Sequence, residues 1–475
     1  MNTRCFQLAI IAAVAGCICI ATVAEETPVA PLLAGFGVTN IVPEQPEFHM
    51  SGYFRERVNT GVHDPLQAKA IVLEQGDTRI AVVVCDVIGV IREVTAAARA
   101  RMADTLDIPV AHSAIAATHT HTGPLYYGVW QRYYEETHGR EQNTDVEAYK
   151  TYLEDQIVAA AEEAVAALKP VEIQYGGAHE PTLAFNRRFY MRDGIVRFNP
   201  GRKNPNAVKP AGPIDPEAGL IAFYEPGADA PHGLFTAFSL HLDTVGGTEF
   251  SADYPYYLEQ GLREAYGDDF QSVFGLGPCG DVNHIDTSQR LSQKGQEEAA
   301  RIGSTLAATI LEQLPALETQ EAPRLAMKQA VLDAPLQHYS DDDLAWAEEQ
   351  LQYMQDGDVP FLERVKARRI IDLSMRDGDT TPIEVQALKL CDDVAVVFLP
   401  GEVFVELGLS IKESSPFAYT SVVELTNDNP AYIPTAKGFA EGSYEVENSR
   451  IAPGVGEEMV EAARLLLYDL KFGEE

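Results

Sequence analysis

Along this chain short apolar runs, bounded by Gly, Pro, Asn and Asp, alternate with longer stretches whose apolar residues recur at helical spacing. The pattern predicts strands over residues 33–42, 68–73 and 79–84, the last two joined by a hairpin at Glu74-Gln75-Gly76-Asp77. An alanine-rich helix over 95–106 and a strand over 111–117 complete a βαβ-like succession. Further helices are predicted at 147–168, 252–266, 294–314 and 457–470. Further strands are predicted at 171–175, 220–224, 234–240, 272–276, 383–390, 394–399 and 421–425. Residues 199–219, rich in Pro, Gly and Asn, read as a long loop without regular structure, a type often functional inside a compact domain. Acidic helical patterning over 336–376 reads as a lid or a helical insertion within about 330–380. No fixed-period repeat or Gly-Ser linker divides the chain, so the expectation is an α/β fold of mixed sheets flanked by helices, forming one domain over 25–475.

Charge and the N-terminus narrow the setting. The 36 Lys and Arg against 71 Asp and Glu give a net charge of −35, which repels nucleic acid and anionic membranes and favours solubility. Residues 1–24 carry one basic residue, Arg4, then an apolar run from Phe6 to Val23, and acidic Glu25-Glu26 follow. This reads as a signal peptide cut after Ala24, and so as an exported, periplasmic or secreted chain. Val14-Ala15-Gly16-Cys17 also fits a lipobox that would lipidate Cys17, but the apolar residues that follow favour the later cut. No later stretch is long and apolar enough to span a bilayer. Outside the signal remain Cys85, Cys279 and Cys391, an odd and scattered set that is no disulfide framework.

The chemistry gathers at the ends of predicted strands. Ala116-Ala117-Thr118-His119-Thr120-His121-Thr122-Gly123-Pro124 sets two histidines two apart, and if the strand stays extended both imidazoles share a face. Neutral imidazole is the commonest metal ligand. The strand over 234–240 delivers His241, followed by Asp243. The strand over 272–276 runs into Gly277-Pro278-Cys279-Gly280-Asp281-Val282-Asn283-His284. Those over 394–399 and 421–425 lead to Pro400-Gly401-Glu402 and to Asn429-Pro430-Ala431-Tyr432. Taken singly, each has a plain reading as a turn, a cap or a packed side chain. Asp86, where a buried strand emerges, is read first as a loop or cap residue, and Asp243 and Asp253 as hydrogen-bonding groups, with a second cation on the last two as the alternative.

In order and rough spacing, the Thr-His-Thr-His-Thr-Gly-Pro run, His241, Leu399-Pro400-Gly401-Glu402 and Asn429-Pro430-Ala431-Tyr432 resemble the neutral ceramidase family. Gly61-Val62-His63-Asp64-Pro65-Leu66, Lys69-Ala70, Asn186-Arg187 and Gly280-Asp281-Val282 strengthen the match, which runs from about residue 35 onward. The resemblance implies a ceramidase-like catalytic domain holding one zinc ion at strand ends on His119, His241, Glu402 and Tyr432. It implies catalytic roles for His121, Arg187 and Tyr444: contacting the reacting carbonyl or water, stabilising the oxyanion and protonating a leaving amine. Zinc-activated water would cleave a carbon–nitrogen amide bond in a small N-acyl substrate, lipid or otherwise. One departure bears on mechanism: where the family has Gly-Asp-Val-Ser-Pro, with a serine proposed as nucleophile, this chain has Asn283. Asn283 is therefore read as orienting water or a substrate amide, its side chain pointing into the pocket. Longer enzymes of the family also continue into a C-terminal β-sandwich domain, so presentation of a membrane lipid is not implied. The alternative is a secreted, non-catalytic binding protein that keeps the zinc fold.

Overall fold

A computed structural model describes residues 30–45, 47–128, 144–319, 323–353 and 359–473, so the expected signal segment and Cys17 lie outside the described residues. The first sheet uses β1 (Leu33–Asn40), β2 (Gln67–Gln75), β3 (Thr78–Cys85) and, after helix α1 (Arg92–Leu106), β4 (Ser113–Ala117). β1, β2 and β3 pair antiparallel, whereas β3 and β4 pair parallel, which requires the α1 crossover. Helix α2 (Thr144–Ala166) packs across β1 and β2. Gly35 and Gly37 let it approach, because a Cβ on either would lie 2.0 Å from a carbonyl oxygen of α2.

A second sheet contains β5 (Glu172–His179), β6 (Glu217–Tyr224), β7 (Gly233–Phe238) and β8 (Gln271–Leu276). β7 and β8 form its parallel pair, bridged by α3 (Tyr254–Tyr266), which packs on α4 (Gln296–Gln313). The third sheet runs β9 (Pro323–Pro335), β10 (Thr380–Cys391), β11 (Val394–Phe398) and β12 (Tyr419–Val423). Two helices, α5 (Asp341–Tyr353) and α6 (Phe361–Ser374), lie in the chain between β9 and β10. α7 (Val405–Ser414) joins the parallel pair β11 and β12, and α9 (Val455–Phe472) closes the chain, after a four-residue helix α8 (Tyr444–Glu447).

One face of each sheet turns into a shared interior. Ile71, Val82 and Ala114 of the first sheet meet Ile221, Phe235 and Val273 of the second and Leu388, Val396 and Val423 of the third. The opposite faces of the first two sheets, including Val72, Val83 and Ile115, are covered by α1 to α4, and that of the third by α7 and α9. Strands buried on both faces read as continuous apolar runs, which is why Ala81-Val82-Val83-Val84 shows no alternation.

Where the structure departs from the sequence expectation, the cause is local. β9 escaped notice because its apolar residues fall in two short triplets, Leu325-Ala326-Met327 and Ala330-Val331-Leu332, broken by Lys328-Gln329 and flanked by Arg324 and Asp333, with no sustained run or clean alternation. Residues 199–219 are not wholly irregular: Ala207–Pro210 forms a strand against Arg188–Met191. None of the described helices is long and apolar enough to cross a membrane. Cys85, Cys279 and Cys391 are buried free thiols.

A candidate metal centre where three sheets converge

Each sheet contributes one parallel pair, and the candidate residues leave from the carboxyl ends of those pairs, the place where open α/β sheets form ligand sites. His119 follows β4, His241 follows β7, Glu402 follows β11 and Tyr432 follows β12. Glu402 and Tyr432 then pair directly as the first residues of two short parallel strands, Glu402–Val403 and Tyr432–Ile433. The expectation that His119 and His121 share a face of an extended strand is incorrect. β4 ends at Ala117, and His119 has φ 71°, so the two imidazoles converge because the backbone turns rather than because it stays extended. A left-handed, non-glycine backbone is strained and persists where the surroundings enforce it. Ala431 (φ 68°) and Ser443 (φ 84°), immediately before Tyr432 and Tyr444, show the same feature.

Three imidazole nitrogens meet at a point. His119 Nε2 lies 3.0 Å from His241 Nε2 and 3.3 Å from His121 Nε2, and the His121–His241 separation is 3.1 Å. His119 and His241 are buried, and His121 is partly exposed. Glu402 Oε2 stands 3.4 Å from His119 Nε2 and has no hydrogen-bond partner. Burial, then His119, pushes the His121 imidazole down to about 3, and the same two causes hold His241 well below its ordinary value. These two rings are therefore neutral, with lone pairs free for a cation. Three such nitrogens could hold a metal ion. Burial raises the Glu402 carboxyl, but His119, Tyr432 and Arg187 more than offset it and keep it ionised. Imidazole nitrogens facing one another beside a buried carboxylate oxygen without a hydrogen-bond partner form a donor set that a divalent cation fits.

Backbone close approach holds this geometry. Gly280 carries no side chain because a Cβ there would lie 2.5 Å from the Glu402 carbonyl oxygen, and a Cβ on Gly52 (φ 98°) would lie 2.5 Å from the His121 Cα. His119 Nδ1 sits 2.5 Å from the Ile88 carbonyl, which fixes its tautomer with Nε2 facing the cluster. His241 Nδ1 faces Cys279 Sγ at 3.8 Å, and that thiol donates to Glu424 Oε1 at 3.1 Å. Burial raises the Glu424 carboxyl well above the usual range, while its Oε2 accepts from the Val403 amide at 2.5 Å. Cys279 and Glu424 were missed in the sequence, where nothing in their spacing marks them.

The remaining expected residues divide. Tyr444 faces the cluster beside Tyr432, ring centroids 5.5 Å apart. Arg187 is not on the cavity wall but buried behind Tyr432: it donates from Nη2 to Tyr432 Oη at 3.1 Å and to the Gly280 carbonyl at 2.7 Å, and from Nε to Glu445 at 2.9 Å. Asn283 does not point into the pocket. It pairs with Phe185 in a short antiparallel bridge, its Nδ2 donates to Asn199 Oδ1 at 3.1 Å and its Oδ1 accepts from the Ile285 amide. Asp243 Oδ1 forms an ion pair with buried His284 Nδ1 at 3.0 Å, and Asp253 accepts from the Thr244 and Val245 amides, a hydrogen-bonding role.

No protein-family model matches the chain, and no curated protein matches it. Among solved structures, the crystal structure of neutral ceramidase from Pseudomonas aeruginosa superimposes with a TM-score of 0.70 at 18% identity, over 93% of this chain and 75% of that one. The chain has the neutral ceramidase fold. A ceramidase complexed with C2 superimposes with the same TM-score, identity and coverage. In this ceramidase-like frame the imidazole cluster opens into a cavity of about 1000 Å³, whose wall includes His119, His121, Glu402, Tyr432 and Tyr444. α6, from the segment between β9 and β10, forms one side of it through Arg368 and Asp372, so that segment borders the site rather than hanging free.

Proposed function

We propose that the protein is an exported hydrolase of carbon–nitrogen amide bonds that holds one zinc ion on His119, His241, Glu402 and Tyr432. The observation that carries this reading is the convergence of three imidazole Nε2 atoms within 3.3 Å, with Glu402 Oε2 3.4 Å from one of them and without a hydrogen-bond partner, beside a large cavity. The neutral ceramidase fold, and its description in one case as complexed with C2, support an amide as the bond attacked. When bound, zinc supplies a Lewis acid for the scissile carbonyl and acidifies a water.

The residues of the chain then have separate tasks. His121 is only partly buried and lines the cavity as well as the cluster, so its neutral ring is placed to hydrogen-bond the reacting carbonyl or water. Burial, then Glu402, pushes the Tyr444 phenol up to about 12, which keeps it protonated as a hydrogen-bond donor toward developing negative charge. Arg187 acts through Tyr432, whose phenol oxygen it holds in place, and is a positioning residue. No covalent step through residue 283 is available, because an amide side chain is no nucleophile and this one is bonded to Asn199 and Ile285. Incubating the zinc-loaded protein with a panel of N-acyl amines tests the reading. Amine release that disappears in His121→Ala supports it, whereas zinc binding with no amine release favours the non-catalytic binding protein.

A further inference from the structure

We propose that Glu424 is a positioning residue of the metal centre, its one carboxyl group fixing both His241, through Cys279, and Glu402, through the Val403 amide; this rests on the zinc reading above. Glu424 is the first residue after β12 and is fully buried. Its Oε1 accepts from Cys279 Sγ at 3.1 Å and its Oε2 from the Val403 amide at 2.5 Å. Both donors are neutral, and a buried carboxyl group held by neutral donors alone is costly to take out of water. Its place beside two of the proposed ligands gives that cost a purpose.

One arm of the bridge runs to the second sheet. Cys279 stands in the loop after β8, and its Sγ lies 3.8 Å from His241 Nδ1, while His241 Nε2 faces the cluster. The other arm stays at the mouth of the third sheet. Val403 follows Glu402 directly, so the amide that Glu424 holds belongs to the peptide unit joining those two residues. A peptide unit is planar, and fixing its N–H therefore fixes the carbonyl and Cα of Glu402. Two backbone bonds close the frame: the Gly280 amide donates to the Val403 carbonyl, and the Glu424 amide to the Leu276 carbonyl, both at 2.8 Å.

His241 follows β7 and Glu402 follows β11, so no single sheet sets the distance between them. A metal site tolerates errors of only a few tenths of an ångström, and groups bonded behind the ligands supply that accuracy. An imidazole ligand commonly gives its other N–H to a carboxylate. Here a thiol stands between imidazole and carboxyl group, and the same carboxyl group also holds the backbone of a second ligand. Loss of Glu424 therefore disturbs two ligands from different sheets, whereas loss of Cys279 disturbs one.

The test measures zinc affinity by chelator competition for the full chain, for Glu424→Gln, for Cys279→Ala and for the double variant. In Glu424→Gln an amide nitrogen faces one of the two donors, and affinity should fall about thirtyfold. With Cys279→Ala already present the His241 arm is gone, so the same change should cost only about threefold. Equal losses in the two backgrounds, or no loss in the second, overturn the bridge. With cobalt(II) at saturation, the visible d–d bands of Glu424→Gln should shift from those of the wild-type protein. Lower unfolding stability with wild-type zinc affinity and unshifted bands would make Glu424 a structural clamp only, and overturns the proposal. Should Glu424→Gln fail to fold, Glu424→Asp, which keeps the carboxyl group but is too short to meet both donors, is judged by the same outcomes. A wild-type protein that takes up neither zinc nor cobalt overturns the metal reading and this role with it, whereas metal uptake that Glu424 does not influence overturns this role alone.

Discussion

Replacing Arg187 with Met retains much of the side chain's apolar stem while deleting the charge that links three parts of the site. Arg187 is buried and bonded to Glu445 at 2.9 Å, to the Gly280 carbonyl at 2.7 Å and to Tyr432 Oη at 3.1 Å. Removing one partner of a buried ion pair generally destabilises by about 3–5 kcal/mol, because the other charge is left buried and uncompensated. Here Glu445 keeps Arg188 at 3.1 Å, so the expected loss is at the lower end, about 3 kcal/mol. The same change frees the Tyr432 phenol, and loss of a group that orients a metal ligand typically weakens metal affinity ten- to a hundredfold. Denaturant unfolding of the zinc-free protein reads the first effect, and competition with a zinc chelator reads the second. An Arg187→Met variant that unfolds at the wild-type midpoint and binds zinc with wild-type affinity would refute the placement of Arg187 behind Tyr432.

Three further outcomes are expected. Cys279→Ala should weaken zinc binding about tenfold or more in chelator competition, because His241 Nδ1 loses the sulfur that orients it; unchanged affinity would show that the 3.8 Å contact does nothing. Asn283→Ser should leave amide turnover within the same order of magnitude, and a large gain in rate with a trapped acyl-enzyme would instead point to covalent catalysis. Burial, opposed by Lys69, raises the Asp86 carboxyl to about 7, so its folded proton affinity exceeds the unfolded one. Its contribution to stability is full below about pH 4 and is lost as pH rises through about 7, at most about 4 kcal/mol. Asp86→Asn should flatten the pH dependence of stability across that window, and a parallel profile would contradict the assignment.

How far the sequence reached depends on the kind of signal each element carries. Strands buried on both faces announced themselves, and β3, β4, β7, β11 and β12 delivered their candidate residues at the ends where the apolar runs stop. β9 did not, because its two apolar triplets are interrupted by Lys328-Gln329 and flanked by Arg324 and Asp333, too short to read as a strand. The motifs brought His119, His121, His241, Glu402, Tyr432 and Tyr444 to one cavity or its floor. The depth at which Arg187 and Asn283 lie was not readable, since it depends on pairing between Phe185-Asn186 and Val282-Asn283, nearly a hundred residues apart. The left-handed backbone of His119 was equally hidden: no glycine marks it, and an extended reading of the two histidines brought them together by the wrong geometry.

Anomalous diffraction at the zinc edge from crystals of the purified protein tests the central claim most directly. The account predicts one strong peak about 2.0–2.2 Å from His119 Nε2, His241 Nε2, a Glu402 carboxylate oxygen and Tyr432 Oη, with His121 beside it. A peak elsewhere, or fully active crystals with no peak at the imidazole cluster, would contradict it.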